Sequence, residues 1–405
     1  MTCMDNAKKI KFPLVLNPFY IYAIIWMIVL FIRSLNINHI YPATPVNLWI
    51  FIFLTIILSL FFGYVYHQII LKNASKTTFE ITGNYPAYFL ATVCVLGIIA
   101  SIIYSRNLPI LSTIRGDAQS YREFGIPTVT PLIICCALAL NAITSVKLFY
   151  GKEKRVHNLI ILLICYVIFL LTFSRGALII CVASSFFIAI SRTRFGFKKI
   201  IGTIIFVLIF AFVFNIFGNI RQQSAWNDSS YIMGLAKFDE NYSWLSNFSW
   251  GIIYLDSPLG NVAYNMENVS YINDIDGFIS QLIPDLISKR IFSGYDSQLV
   301  LACPGLNVAS MYEGGYKFFG LFGMGIQFIL MSMIIFILAA ISRRRTETLL
   351  AVSVYLTILS AMTFFSNVFV YSGFSFAVLV ILIFDFIRYP SPKHVSLSIN
   401  EKQTI

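Results

Sequence analysis

The stretch Phe169–Val182, FLLTFSRGALIICV, is almost wholly apolar yet carries Arg175 at its centre. Read as one helix, it places a permanent cation deep in lipid, where an arginine costs about 2.5–3.5 kcal/mol even on lenient scales. Read as two helices that turn at Ser174–Gly176, it brings the cation to the membrane boundary. On the second reading Ser174 helps to cap the new helix and Gly176 allows a tight turn. An arginine so placed has two uses. It reaches out to the lipid headgroups, or it faces the protein interior or a water-filled cavity, where intramembrane charges are functional.

The rest of the chain supports a membrane setting. Of its 405 residues 58% are hydrophobic and 12% charged, and mean hydropathy is +0.79. A soluble domain carries roughly a quarter charged residues. A net charge of +11 fits the basic cytoplasmic loops of membrane proteins better than a nucleic-acid partner, since no basic stripe interleaved with aromatics is present. The amino-terminal MTCMDNAKKIKF lacks a small-residue cleavage site after its first apolar run, so that run is expected to remain as a span. No cysteine or histidine spacing suggests a metal, and no disulfide is expected.

A span needs about 20 apolar residues. Ten such stretches follow: 14–34, 47–69, 85–104, 127–148, 157–174, 176–191, 200–218, 316–341, 348–366 and 369–388. The expected fold is therefore an all-α polytopic membrane protein. Residues 1–218 hold spans one to seven, 219–315 form one large loop, and 316–405 hold spans eight to ten and a tail. With both termini in the cytoplasm, nineteen of the 29 Lys and Arg residues fall in inner loops, as the positive-inside rule requires. The large loop then faces outward.

The ten outer cations are mostly arginines: Arg33, Arg106, Arg115, Arg122, Arg175, Arg221 and Arg290, with Lys237, Lys289 and Lys317. The guanidinium fork binds phosphate bidentately and is weakly hydrated, so this bias hints at a phosphate-bearing substrate. The large loop is also rich in aromatics, including Trp226, Trp244 and Trp250. Such rings offer stacking faces for sugars, but an interfacial belt or a small core would use them as well. YSWLSNFSWGIIYL within this loop is expected to include helices lying on the membrane surface. The glycines Gly314, Gly315, Gly320, Gly323 and Gly325 suit close helix packing or a lipid-tail groove.

RNLPILSTIRGDAQSYREFGIP (Arg106–Pro127), LLTFSRGALI (Leu170–Ile179), GNIR (Gly218–Arg221) and YEGGYKFFGLFGMG (Tyr312–Gly325) occur in this order around the loops. Together they resemble the Wzy-type oligosaccharide repeat-unit polymerases, also called O-antigen polymerases. An Arg-x10-Gly spacing known from some members is not matched, since Arg221 reaches its next glycine only at Gly234. The resemblance implies a bundle related to the GT-C membrane glycosyltransferases, in a bacterial inner membrane with its site on the outer face. It implies transfer of a growing glycan from undecaprenyl pyrophosphate to the terminal sugar of a new lipid-linked unit, without metal or other cofactor. Membrane lipid, a flippase and a chain-length regulator would be its partners.

Such a transfer needs cations for the leaving diphosphate, a base for the acceptor hydroxyl and a platform for sugar rings. Arg175 and Arg221 are the first candidates for the cations, with Arg115, Arg122 and Arg290 as further substrate contacts. Of the histidines only His39 lies outside, so a carboxylate is the better base, with Glu313 and Asp117 the candidates. Trp226, Trp244 and Trp250 are the candidate platform. Rival readings are a flippase of the same pathway, an O-antigen ligase and a scaffold protein. The lack of paired internal repeats weighs against the transporter, and the lack of a histidine in the large loop against the ligase.

Overall fold

The computed structural model describes residues 14–72, 85–114, 124–151, 154–192, 196–222, 224–292, 299–343 and 345–388. The helices are α1 (Pro18–Ser34), α2 (Val46–Tyr66), α3 (Tyr85–Ser105), α4 (Pro109–Ile114), α5 (Val129–Tyr150), α6 (Arg155–Leu171), α7 (Arg175–Ser191) and α8 (Phe197–Arg221). They continue with α9 (Ser230–Ala236), α10 (Ser249–Asn268), α11 (Ile275–Ser280), α12 (Asp285–Ile291), α13 (Glu313–Ser342), α14 (Thr346–Ala361) and α15 (Ser372–Arg388). Among the described residues, β structure is one isolated bridge, Asn38 to Phe238.

Each of the ten apolar stretches holds one helix. Among the described residues six helices are long and apolar enough to cross a membrane, and the shorter apolar helices run Pro18–Ser34, Arg155–Leu171, Gly176–Ser191 and Ser372–Ile387. Helices suit lipid because each segment satisfies its own backbone hydrogen bonds. The chain is therefore an all-α membrane protein. Its centre is α14, with 89% of its apolar window buried, whereas α8 buries only 6% of its own and exposes Ile204, Val207, Leu208 and Ile209. That outward row suits lipid and not water.

Side-chain hydrogen bonds tie the bundle where apolar contact alone gives little preference in lipid. Asn17 caps α1 by accepting from Phe19 N at 3.1 Å, and its Nδ2 donates to Gly63 O of α2 at 2.7 Å. Tyr22 Oη donates to Thr55 Oγ1 at 3.0 Å and also meets Tyr312 Oη. Trp26 Nε1 donates to Thr363 Oγ1 at 3.1 Å.

The Phe169–Val182 stretch is two helices, as read, but its turn is built differently. Phe173 takes the left-handed conformation at φ 51°, and Ser174 N donates to Phe169 O at 3.2 Å. Ser174 stands at the N-cap without a side-chain bond. Gly176 is helical, and its small size serves packing: a Cβ there would lie 3.3 Å from Phe374 Cζ.

The large loop packs on one end of the bundle, here called the loop end, and adds a second, smaller core there. Ile232, Phe238, Trp250, Ile253 and Leu306 pack with Ile37 and Tyr41 of the first loop. The two loops are laced by His39 N to Lys237 O at 3.1 Å and Asp239 N to Ile37 O at 2.8 Å. The expected surface helix is realised otherwise. Glu240–Phe248 is a 3-10 helix, and α10 buries Trp250, Ile253, Asp256 and Leu259 while packing against α1 and α8.

Candidate functional site at the loop end

α13 begins at Glu313 and is broken at Phe319 (φ −139°, ψ 19°) and Gly320 (φ 58°, ψ −143°). Only glycine adopts the second pair at little cost. The piece before the break folds back on the piece after it. Gly315 N donates to Gln327 Oε1 at 3.0 Å, and a Cβ on Gly323 would lie 2.2 Å from Gly315 O. Small residues thus serve the close backbone approach.

This fold-back sets Glu313 at the loop end, where Glu313 Oε1 accepts from Leu299 N at 2.9 Å. Beside it, α12 is docked onto the segment before α15. Asp285 N donates to Val370 O and Asp285 Oδ1 accepts from Ser372 N, both at 2.8 Å. Gly314, next to Glu313, abuts Gln281, since a Cβ there would lie 2.7 Å from Gln281 Cβ, and Gln281 O accepts from Asn367 Nδ2 at 3.4 Å in the same segment. The Tyr371 ring lies 6.4 Å from the Phe374 ring, and Phe374 abuts Gly176. Two carboxylates and the opening of α7 at Arg175 therefore share one corner.

Arg175 contributes the first backbone unit of α7; its side chain lies outside the described residues, as do Arg115, Asp117 and Arg122. Arg290 is exposed on α12, five residues beyond Asp285, while Lys289 Nζ lies 3.8 Å from Asp285 Oδ2. Arg221 ends α8 and stands with a different group. There Asn219 Oδ1 accepts from Trp250 Nε1 at 2.8 Å, and Asn219 Nδ2 donates to Trp226 O at 3.1 Å. Trp250 is 4% exposed, Trp226 56% and Trp244 73%. Trp226 and Trp244 thus present open rings, whereas Trp250 is a core residue whose indole lies against Gly218.

Below the corner, beyond the Gly320 break, an apolar cleft of about 490 Å³ opens between α2 and α13. Phe51, Leu54 and Leu58 line one side, and Leu321, Phe322 and Gly325 the other. Its lining is almost wholly apolar.

A second polar centre was not singled out from sequence. Arg33 Nη1 lies 3.3 Å from both carboxylate oxygens of Asp256, and each side chain is 2% exposed. Arg33 Nε donates to Thr44 Oγ1 at 2.8 Å, Arg33 Nη2 donates to Pro42 O, and Asn38 Nδ2 donates to Asp256 Oδ2 at 2.7 Å. Burial pushes the Asp256 carboxyl up from its ordinary range, while Arg33 and Asn38 pull it back. In the sequence the two partners show only as a lone charge in each of two apolar runs, FIRS and IIYLDSPLG.

Among the described residues no three His, Cys, Asp or Glu side chains gather as metal ligands. No family model matches the chain, and no curated protein or solved structure does either. The fold and the site define its class, an all-α membrane protein with a polar site at one end of its bundle.

Proposed function

We propose that this protein polymerises oligosaccharide repeat units carried on undecaprenyl pyrophosphate, in O-antigen or capsule synthesis. On this reading all ten apolar helices span a bacterial inner membrane as a GT-C-like bundle. Both termini are cytoplasmic, and the loop end faces the periplasm.

The acceptor sugar hydroxyl attacks the anomeric carbon of the growing chain. The bond from that carbon to the diphosphate oxygen breaks, and the diphosphate leaves with the electron pair. The hydroxyl proton passes to a carboxylate, Glu313 being the first choice and Asp117 a further candidate. Arg175 and Arg290 meet the charge that develops on the leaving group, the type of interaction that usually contributes most to such a rate, and Arg221, apart from them beside Asn219, is the further candidate cation for the lipid diphosphate. Arg115 and Arg122 add substrate contacts, and Trp226 and Trp244 offer stacking faces.

The observation that carries this reading is the corner where Glu313 and Asp285 stand beside the Arg175 end of α7, above an apolar cleft fit for a lipid tail. The test is reconstitution in vesicles with a lipid-linked repeat unit. A ladder of polymers is expected, and Arg175→Ala and Arg221→Ala should abolish it at unchanged protein level. An undiminished ladder in both variants removes these residues from the mechanism.

One observation favours a second reading, a flippase. Interrupted membrane helices line transport sites, and α13 is interrupted at Phe319–Gly320. Movement of the lipid-linked unit across vesicles without any ladder would select it.

A further inference from the structure

Next to the Arg33–Asp256 pair lies an open cavity of about 380 Å³, walled by Arg33, Asn36, His39, Tyr41, Thr44 and Trp49. We infer that this cavity is a binding site for a neutral sugar, one or two pyranose residues of a glycan end. The inference rests on the polymerase reading for its place in the reaction, but the ligand's chemical class follows from the wall itself.

The volume is at the small end of ligand pockets, suited to a mono- or disaccharide. The lining is amphipathic. The half-exposed Trp49 supplies a flat apolar face for sugar C–H groups, and the buried edge of Tyr41, 4% exposed, closes the wall behind it. Asn36, His39 and Thr44 supply donors and acceptors for hydroxyls. The Tyr41 ring is fixed from behind, since a Cβ on Gly260 would lie 2.5 Å from its Cγ, and the Arg33 guanidinium carbon sits 5.6 Å from its centre. Arg33 also holds the 42–44 segment through Pro42 O and Thr44 Oγ1, so the rim is set before a ligand arrives.

Charge decides between a sugar and a phosphate. The Arg33 cation faces the Asp256 carboxylate at 3.3 Å, and His39 Nε2 faces Asp239 Oδ2 at 3.6 Å. Each basic group in the wall already has an acid beside it. A diphosphate would have to compete with those carboxylates, whereas a neutral polyol does not.

The experiment uses the full chain in lipid nanodiscs, titrated with a panel of neutral disaccharides and, separately, with inorganic pyrophosphate. Saturable binding of at least one disaccharide is expected. Trp49→Ala should weaken it at least about tenfold, as loss of a central aromatic contact does, and Trp49→Phe should retain most of it. His39→Ala, at a side chain 48% exposed and so tolerant of change, should weaken binding without lowering the unfolding temperature. Failure of every disaccharide to bind overturns the inference. So does binding indifferent to both residues, or Trp49-dependent binding of pyrophosphate instead. A failed ladder with this binding intact sinks the polymerase reading alone. A normal ladder without Trp49-dependent sugar binding sinks this inference alone.

Discussion

Arg33, at the end of α1, and Asp256, in the middle of α10, meet across 223 positions of chain, with Nη1 3.3 Å from both carboxylate oxygens. This buried pair fastens the large loop to the membrane bundle. Removing one partner of such a pair leaves an uncompensated charge and costs about 3–5 kcal/mol. Arg33→Ala should therefore lower the unfolding temperature sharply in detergent. Arg33→Met with Asp256→Leu should recover much of the loss, though not all, because Asn38 then lacks its acceptor.

The pH dependence of Arg33→Ala has a definite sign. Burial raises Asp256, and Arg33 opposes that rise. Without Arg33 the folded-state pKa climbs further above the unfolded value. The folded chain then holds its proton more tightly than the unfolded chain does. Stability is retained at low pH and lost as pH rises through the folded pKa. The deficit against wild type should be smaller at mildly acidic than at mildly alkaline pH, measured by thermal unfolding across that range. A deficit that grows on acidification would contradict the buried pairing.

The glycines of α13 divide sharply. Gly323→Ala drives a methyl to within 2.2 Å of the Gly315 carbonyl oxygen, a backbone atom that has little room to yield. Overpacking of this kind costs about 1–3 kcal/mol or more, and the fold-back that positions Glu313 should be lost with it. A Cβ at Gly325 meets nothing within 4 Å, so Gly325→Ala should leave unfolding unchanged or gain up to about 1 kcal/mol in helix stability. Equal losses in both variants would refute the fold-back.

The tryptophans of the large loop separate in the same way. Trp250 is buried and donates to Asn219, so Trp250→Ala should cost about 3–5 kcal/mol. Trp244 is open, and Trp244→Ala should stay within about 0.5 kcal/mol of wild type. If Trp244 serves as a sugar platform, its variant shortens the polymer ladder while the thermal midpoint holds.

How far the sequence could be read follows from the range of the interactions involved. Lipid demands long apolar runs, so every apolar helix was visible. Turn chemistry was less so. Glycine is the favoured residue for a left-handed turn, yet Phe173 makes the one before α7, and Gly176 packs instead against Phe374, on a helix nearly two hundred residues away. The Arg33–Asp256 contact was hidden for a similar reason: nothing local sets the register of the large loop against α1. Trp250 and Trp244 share one aromatic-rich segment, and composition alone does not say which ring faces inward. The place of Glu313 at the head of α13 was legible because it stands where a polar loop meets an apolar run.

The base is the sharpest test of the corner, because its two carboxylates can be altered without removing the bonds they accept from backbone N–H groups. Glu313 Oε1 accepts from Leu299 N, and Asp285 Oδ1 accepts from Ser372 N. The amide carbonyl in Glu313→Gln or Asp285→Asn still accepts, but it no longer takes a proton at working pH. Both variants should fold as wild type does, whereas Glu313→Ala also loses the tie to Leu299. Loss of a general base lowers a rate by roughly 10²–10⁴. Glu313→Gln should therefore stop the ladder in the reconstituted assay while lipid-linked substrate still binds, and Asp285→Asn should slow it less. The reverse order would assign the proton to Asp285. Full ladders from both would show that neither carboxylate takes it, and the chemistry proposed for this corner would fail.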